Sequence, residues 1–143
     1  MKASEKLITA MKKFEGCKLT AYKCPAGVWT IGYGRTKGVT KGMTITEEIA
    51  ERLLREDLAT YEQYVGKILP NATQPQFDAL VDFAFNLGTG NLGNSTLLKQ
   101  IRNKASEEAI RYQFGRWNKA NGKVLQGLVT RRAWEADRYF EKA

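Results

Sequence analysis

The chain contains no histidine. That absence removes the usual general base near neutral pH, the usual partner of a nucleophilic serine or cysteine, and the commonest zinc ligand. Chemistry must then fall to carboxylates, thiols, hydroxyls or amines. Cysteine occurs only at Cys17 and Cys24, so no disulfide framework is available and at most one bridge can form. Nowhere do apolar residues run for the roughly 18 to 20 positions that a membrane span needs. Lysines interrupt the apolar positions of residues 1–14, so no export signal is recognisable and no stable membrane insertion is expected. Repeats, low-complexity tracts and Pro/Ser-rich linkers are also missing, which leaves a single domain over residues 1–143 as the expectation.

What is present suits an ordinary globular domain. The 143 residues are 43% hydrophobic and 27% charged, enough to bury a substantial core. Lys and Arg number 23 against 15 acids, a formal charge of +8. Most of the excess lies in residues 99–143, which hold 11 basic residues against 5 acids. Such a balance favours anionic partners: nucleic acid, acidic lipid surfaces, or wall polymers bearing carboxylates and phosphates. Charge alone does not choose among them.

Periodicity divides the chain. Leu7, Ile8, Met11 and Phe14 repeat at helical spacing between a Ser4 cap and Gly16, placing Glu15 at the C-terminal edge of a short helix. Residues 17–43 turn to β-branched and aromatic residues broken by glycines and Pro25, the texture of a small sheet. A long amphipathic helix begins after Thr46 and stops before Pro70, and it is placed to bridge two lobes. Thr73 and Gln76 suggest a capping box ahead of an apolar helix that ends near Leu87. Residues 88–94 read as a Gly- and Asn-rich loop, followed by helices over about 95–103, 106–117 and 127–140 with a turn at Asn121-Gly122. The expected class is α+β and mainly helical, with a small β-containing lobe over about 15–60. The helical lobe takes in about 61–143 and the N-terminal helix.

The strongest signal is Phe14-Glu15-Gly16 followed by Ala21-Tyr22-Lys23-Cys24-Pro25-Ala26-Gly27-Val28-Trp29-Thr30-Ile31-Gly32-Tyr33-Gly34. This segment resembles the catalytic region of phage-type lysozymes, glycoside hydrolase family 24. The family spaces its active site as Glu, eight residues, Asp or Cys, five residues, Thr, and Glu15, Cys24 and Thr30 fit that spacing. The similarity continues through the long helix, Phe85-Asn86-Leu87-Gly88 and Gly127-Leu128-Val129-Thr130-Arg131-Arg132, nearly the whole chain.

The resemblance implies a lysozyme-like fold with a cleft between two lobes. It implies hydrolysis of the β-1,4 bond between N-acetylmuramic acid and N-acetylglucosamine in bacterial peptidoglycan, for phage-mediated lysis of the host. Such an enzyme is a monomer needing no metal or other cofactor. It is made in the host cytoplasm and acts on the wall after release or export.

Glycoside cleavage needs a proton for the leaving oxygen and an attacking group or held water for the developing oxocarbenium ion. A carboxylic acid in a partly apolar pocket is a suitable donor, and Glu15 beside Phe14 is the candidate. Many family members carry aspartate where Cys24 stands. Its thiolate is open to roles as base, electrostatic partner or nucleophile, the bland alternatives being a small buried residue at a turn or a disulfide with Cys17. Thr30 is expected to position water.

Arg35 stands where the family often has histidine, and an Arg35–Asp57 pair is expected, weakening on acidification only as Asp57 titrates. Asn86 reads equally as a ligand to a sugar N-acetyl or hydroxyl group and as a helix C-cap. Arg131 or Arg132 is placed to reach Glu15 or a substrate carboxylate, against a solvated basic face as the alternative. Leu128, Trp134 and Tyr139 should be core on the same helix, and Trp117 is read as core too.

Other classes fit less well. A nucleic-acid-binding module accounts for the charge but not for Glu15, Cys24 and Thr30. A zinc or phosphate enzyme lacks paired ligands and a phosphate-cradling glycine loop. A lytic transglycosylase would use the same glutamate without water, and an inactive wall-binding protein is the remaining alternative.

Overall fold

The computed structural model describes residues 1–143. In chain order the elements are α1 (Glu5–Glu15), β1 (Lys18–Lys23), β2 (Trp29–Gly32), α2 (Glu47–Ile68), α3 (Gln74–Leu87), α4 (Thr89–Gly93), α5 (Thr96–Arg102), α6 (Glu107–Gly115), β3 (Lys119–Ala120), β4 (Lys123–Val124) and α7 (Gln126–Tyr139). The helix starts follow from local chemistry. Ser4, Thr46, Ser95 and Ser106 each accept the backbone N–H three residues on, satisfying a donor that the first turn leaves orphaned. Thr73 and Gln76 close the reciprocal capping box of α3, with Pro75 in its first turn.

β1 and β2 pair antiparallel, Tyr22 opposite Thr30 and Lys23 opposite Trp29, with a register shift before Tyr22. The far edge of β1 is met by residues 43–45: Ala21 donates to the Met43 carbonyl and Ile45 to the Leu19 carbonyl, both at 2.9 Å. A two-stranded ribbon is marginal in water by itself. This one is anchored by the fully buried Ile31 and by Gly32, where a Cβ would stand 3.4 Å from Cβ of Ala50 on α2. The φ of +64° at Gly32 disfavours a side chain as well, so glycine lets strand and helix touch.

A core cluster of 21 buried residues runs through the molecule, including Leu7 and Met11 of α1, Leu54 and Val65 of α2, Phe77, Leu80 and Phe83 of α3, and Phe114 of α6. Each such side chain contributes roughly 2 kcal/mol relative to exposure. Trp117 and Trp134 pack against this cluster, edge-on to Phe83 at 5.5 Å and to Phe14 at 5.9 Å. No helix is long and apolar enough to cross a membrane.

Three features differ from the sequence expectation. Residues 88–94 are not all loop, because Thr89–Gly93 winds into α4 around the fully buried Leu92; one turn is too short to show periodicity. The Asn121-Gly122 turn closes a second ladder, β3–β4, whose two-residue strands are too short to alternate. Asn121 and Gly122 have φ of 52° and 78°, as a tight hairpin turn requires. The inner face of α7 is charged rather than apolar: Arg131, Arg132, Glu135 and Arg138 are buried with Ala136 and Tyr139, whereas Leu128 and Trp134 are only partly covered. The reason lies on α3, which packs against α7 and presents the fully buried Asp78 and Asp82.

Candidate active site

Glu15 is the last residue of α1, and its side chain enters a polar cleft of about 560 Å³. Arg35 and Lys37 line one wall, Asp57 and Tyr61 of α2 another, and Phe85 and Asn86 of α3 a third. The turn after β2 runs beside the acid. Ile31 and Arg35 exchange backbone hydrogen bonds of 2.9 Å, and the turn they close puts Gly34 beside Glu15, where a Cβ would sit 3.8 Å from Oε1. Gly34 has φ of +94°, a backbone that side chains resist.

Glu15 Oε2 accepts a hydrogen bond of 2.7 Å from Arg131 Nη1. Arg131 is the arginine that reaches the acid, and the solvated-face reading fails for both arginines, which are 5% and 1% exposed. Phe14 supplies an aromatic face 5.0 Å from the Arg131 guanidinium carbon rather than an apolar lid on the carboxyl, so the surroundings of Glu15 are more charged than expected.

Cys24 and Thr30 come together on the hairpin and are not among the lining residues of the main cleft. Cys24 donates its N–H to the Val28 carbonyl at 3.0 Å and accepts from Gly27 at 2.8 Å, closing the loop between β1 and β2. Backbone N–H groups of Val28 and then Ala26, with the Thr30 hydroxyl as a smaller influence, hold the thiol below its ordinary range against the opposing effect of burial. Both cysteines are free, so the Cys17–Cys24 disulfide alternative does not hold. Cys24 is only half-buried, which also removes the reading of it as a small core residue. The Thr30 side chain is 5% exposed and donates to the Val28 carbonyl at 3.0 Å. Its one proton can point there or at the Cys24 sulfur, while its lone pairs remain acceptors.

Arg35 and Asp57 form the expected pair, Nη1 to Oδ1 at 2.8 Å. Burial nonetheless pushes the Asp57 carboxyl above its ordinary range; Arg35 pulls it back only in part and Glu56 adds to the rise. The pair is therefore lost on acidification as Asp57 titrates, but fold stability does not follow it. A carboxyl raised in the folded state contributes stability that is present below its ordinary value and lost as pH rises, so acidification breaks this pair without weakening the fold through Asp57.

Asn86 is not a cap; that position belongs to Gly88, whose N–H reaches the Ala84 carbonyl at 2.7 Å. Asn86 Oδ1 instead accepts from Arg132 Nη2 at 2.8 Å, which leaves the amide nitrogen to donate at the cleft wall. Sequence reasoning missed Asp82, which holds Arg131 through Oδ2 to Nε at 2.9 Å and Oδ1 to Nη2 at 2.8 Å. The available signal was an acid pair spaced four apart, Asp78 and Asp82, inside an otherwise apolar helix.

A helical body with a short hairpin sheet and a carboxyl in a polar cleft is the architecture of lysozyme-type glycoside hydrolases. The solved muramidase domain of SpmX from Asticaccaulis excentricus superposes with a TM-score of 0.90 at 34% identity, over 99% of each chain. A model of the phage lysozyme family matches residues 12–135. The endolysin of Acyrthosiphon pisum secondary endosymbiont phage 1 is 41% identical over 140 residues, 94% of this chain and 95% of its own. The endolysin of Bacillus phage PZA is 43% identical over 139 residues, and the chain spans about half of its length, 54%. The chain belongs to the phage lysozyme family and is a lysozyme-type hydrolase.

Proposed function

We propose that this enzyme hydrolyses the β-1,4 bond between N-acetylmuramic acid and N-acetylglucosamine of peptidoglycan, with Glu15 as general acid, and serves phage lysis of a bacterial host. The observation that carries the reading is the division of labour within the Glu15 carboxyl. Oε2 is taken by Arg131 and orients the group, while Oε1 stands at the Gly34 turn, free to carry a proton toward a leaving oxygen. Cys24, with its thiol favoured toward ionisation, supplies the second anionic group as base, electrostatic partner or nucleophile. Thr30 sets the Cys24 sulfur and positions water through its lone pairs. Asn86 donates to an N-acetyl or hydroxyl group of the sugar, and Arg131, the other residue assigned to the substrate, acts by orienting Glu15 toward it.

The site lies between a β-containing lobe, about 15–60, and a helical lobe of about 61–143 with α1. The protein works as a monomer on the cell wall, after release or export from the cytoplasm where it is made. Its charge of +8 draws it to an anionic polymer, an attraction screened by salt.

Digestion of purified peptidoglycan followed by mass spectrometry of the new sugar ends tests the reaction. Reducing N-acetylmuramic acid ends are expected. Anhydro ends would show a transglycosylase instead, and binding without new ends would mean an inactive wall-binding protein. Iodoacetamide tests the second group: at neutral pH it is expected to modify Cys24 before Cys17, with cleavage lost in step. A Cys24-alkylated enzyme that keeps its rate would remove the thiol from the reaction.

A further inference from the structure

The guanidinium that orients Glu15 also borders a second hollow. A groove of about 510 Å³ is lined by Lys13 and Phe14 near the end of α1, Leu125 at the foot of the β3–β4 hairpin, and Leu128, Thr130 and Arg131 of α7. Arg131 belongs to both places, since its Nη1 bonds Glu15 Oε2 at 2.7 Å.

The hairpin stands in water. The Leu125 N–H donates to the Asn118 carbonyl at 3.0 Å and closes the hairpin at its root, yet every residue from 119 to 127 is exposed. Two of them are large and apolar, Val124 at 56% and Leu125 at 46% exposure. Leu125 also occupies the N-cap of α7, where its side chain accepts no hydrogen bond from the first turn. A serine or aspartate would serve that helix better, so neither the core nor the helix start accounts for a leucine here.

Charge on this face is of one sign. Residues 109–134 contain no acid. Within that stretch Arg111, Arg131 and Arg132 are answered by carboxylates from outside it. Lys119 and Lys123 of the hairpin, like Lys13 in the groove, are exposed and take part in no ion pair. An apolar hollow bordered by uncompensated cations suits a ligand that carries both methyl groups and free carboxylates.

We propose that this groove and the β3–β4 hairpin bind the stem peptide carried by N-acetylmuramic acid, with Phe14 and Leu125 against its alanine methyls and Lys13, Lys119 and Lys123 facing its carboxylates. The inference rests on the reading of peptidoglycan as substrate. The two hollows then divide that substrate by chemistry. The main cleft is polar, and its Asn86 amide suits a neutral glycan rich in hydroxyl and acetamido groups. The groove is apolar and cationic, and suits the peptide. A lipid surface shares the negative charge but is broad and flat, whereas this site is a hollow beside the partner of Glu15.

Two measurements test this. Stem peptide released from peptidoglycan by an amidase, titrated at millimolar concentration into the isotope-labelled enzyme, should shift the backbone amides of Lys13, Leu125 and Thr130. No shift, or shifts confined to the cleft wall at Arg35 and Asn86, would overturn the proposal. Leu125→Ser supplies a capping hydroxyl to α7, so the fold should hold while the titration weakens about fivefold; an unweakened titration would remove Leu125 from the site. In kinetics, the enzyme should favour soluble uncrosslinked strands over the same strands stripped of peptide by about tenfold in kcat/KM, the combined effect of three exposed charge pairs. A triple variant, Lys13→Gln with Lys119→Gln and Lys123→Gln, should lose that preference through KM. A preference absent from the parent, or kept by the variant, would overturn the proposal. A variant that keeps it but no longer binds phosphatidylglycerol vesicles would make the surface a lipid site instead. Failure of the muramidase reading would appear as an absence of new N-acetylmuramic acid ends, on which the titration does not depend.

Discussion

Glu15→Gln is expected to lower the rate of peptidoglycan cleavage by a factor on the order of 100 to 10,000, the range a positioned general acid supplies. The amide keeps the shape of the side chain and an oxygen for Arg131 Nη1, whose bond to Glu15 Oε2 measures 2.7 Å. It cannot deliver a proton to a departing sugar oxygen. Arg131 remains bound to Asp82 through two nitrogens, so thermal unfolding should move by no more than a few degrees. Rates of new reducing ends and a melting curve on the same preparation check both parts. A variant that retains a tenth of the parent rate would mean that the proton comes from elsewhere in the cleft.

Arg131→Met should act on the fold. Methionine approximates the length of the arginine stem but leaves Asp82, fully buried, without its bidentate partner. Breaking a buried pair from one side costs about 3–5 kcal/mol. In a domain of this size that lowers the melting temperature by roughly 10 °C.

The pH dependence gives the prediction a second edge. Although burial pushes the Asp82 carboxyl up, the Glu135 hydrogen bond and Arg131 outweigh it and hold Asp82 below its ordinary range. A carboxyl depressed in the folded state contributes stability that is present above its ordinary value, about 3.9, and is lost as pH falls further. The gap between parent and Arg131→Met should therefore be widest near neutral pH and close on acidification, where Asp82 takes up a proton. Denaturant melts at neutral pH and at about pH 3 read this directly. A gap that stays constant would trace the loss to packing against Phe14 instead.

Much of the scaffold could be read locally, because the signals are themselves local. Ser4, Thr46, Ser95 and Ser106 cap helices three residues on, and Thr73 with Gln76 closes a box of four residues. The spacing of Glu15, Cys24 and Thr30 singled out candidates, and Arg35 with Asp57 formed the expected pair at 2.8 Å. The buried charges escaped because burial of an ion is a property of two elements together. On α7 alone, Arg131, Arg132, Glu135 and Arg138 look like a wet surface. They become an interior only when α3 offers Asp78 and Asp82 across the contact. The same limit applied to Asn86, whose oxygen is claimed by a residue 46 positions away.

The ionic contacts that complete the site also set when it can exist. Glu15 and Arg131 are separated by 116 positions in the chain. Asp78 gathers the Ser4 hydroxyl from one end of the sequence and Arg138, at 2.7 Å, from the other. Synthesis runs from the N-terminus, so α1, the hairpin and the cleft wall of α2 emerge while the anchor of the acid is still untranslated. A nascent or truncated chain lacking α7 carries Glu15 with nothing to orient it. The orientation of Glu15 is thus a property of the finished contact between α1 and α7, and a chain interrupted before α7 cannot have it.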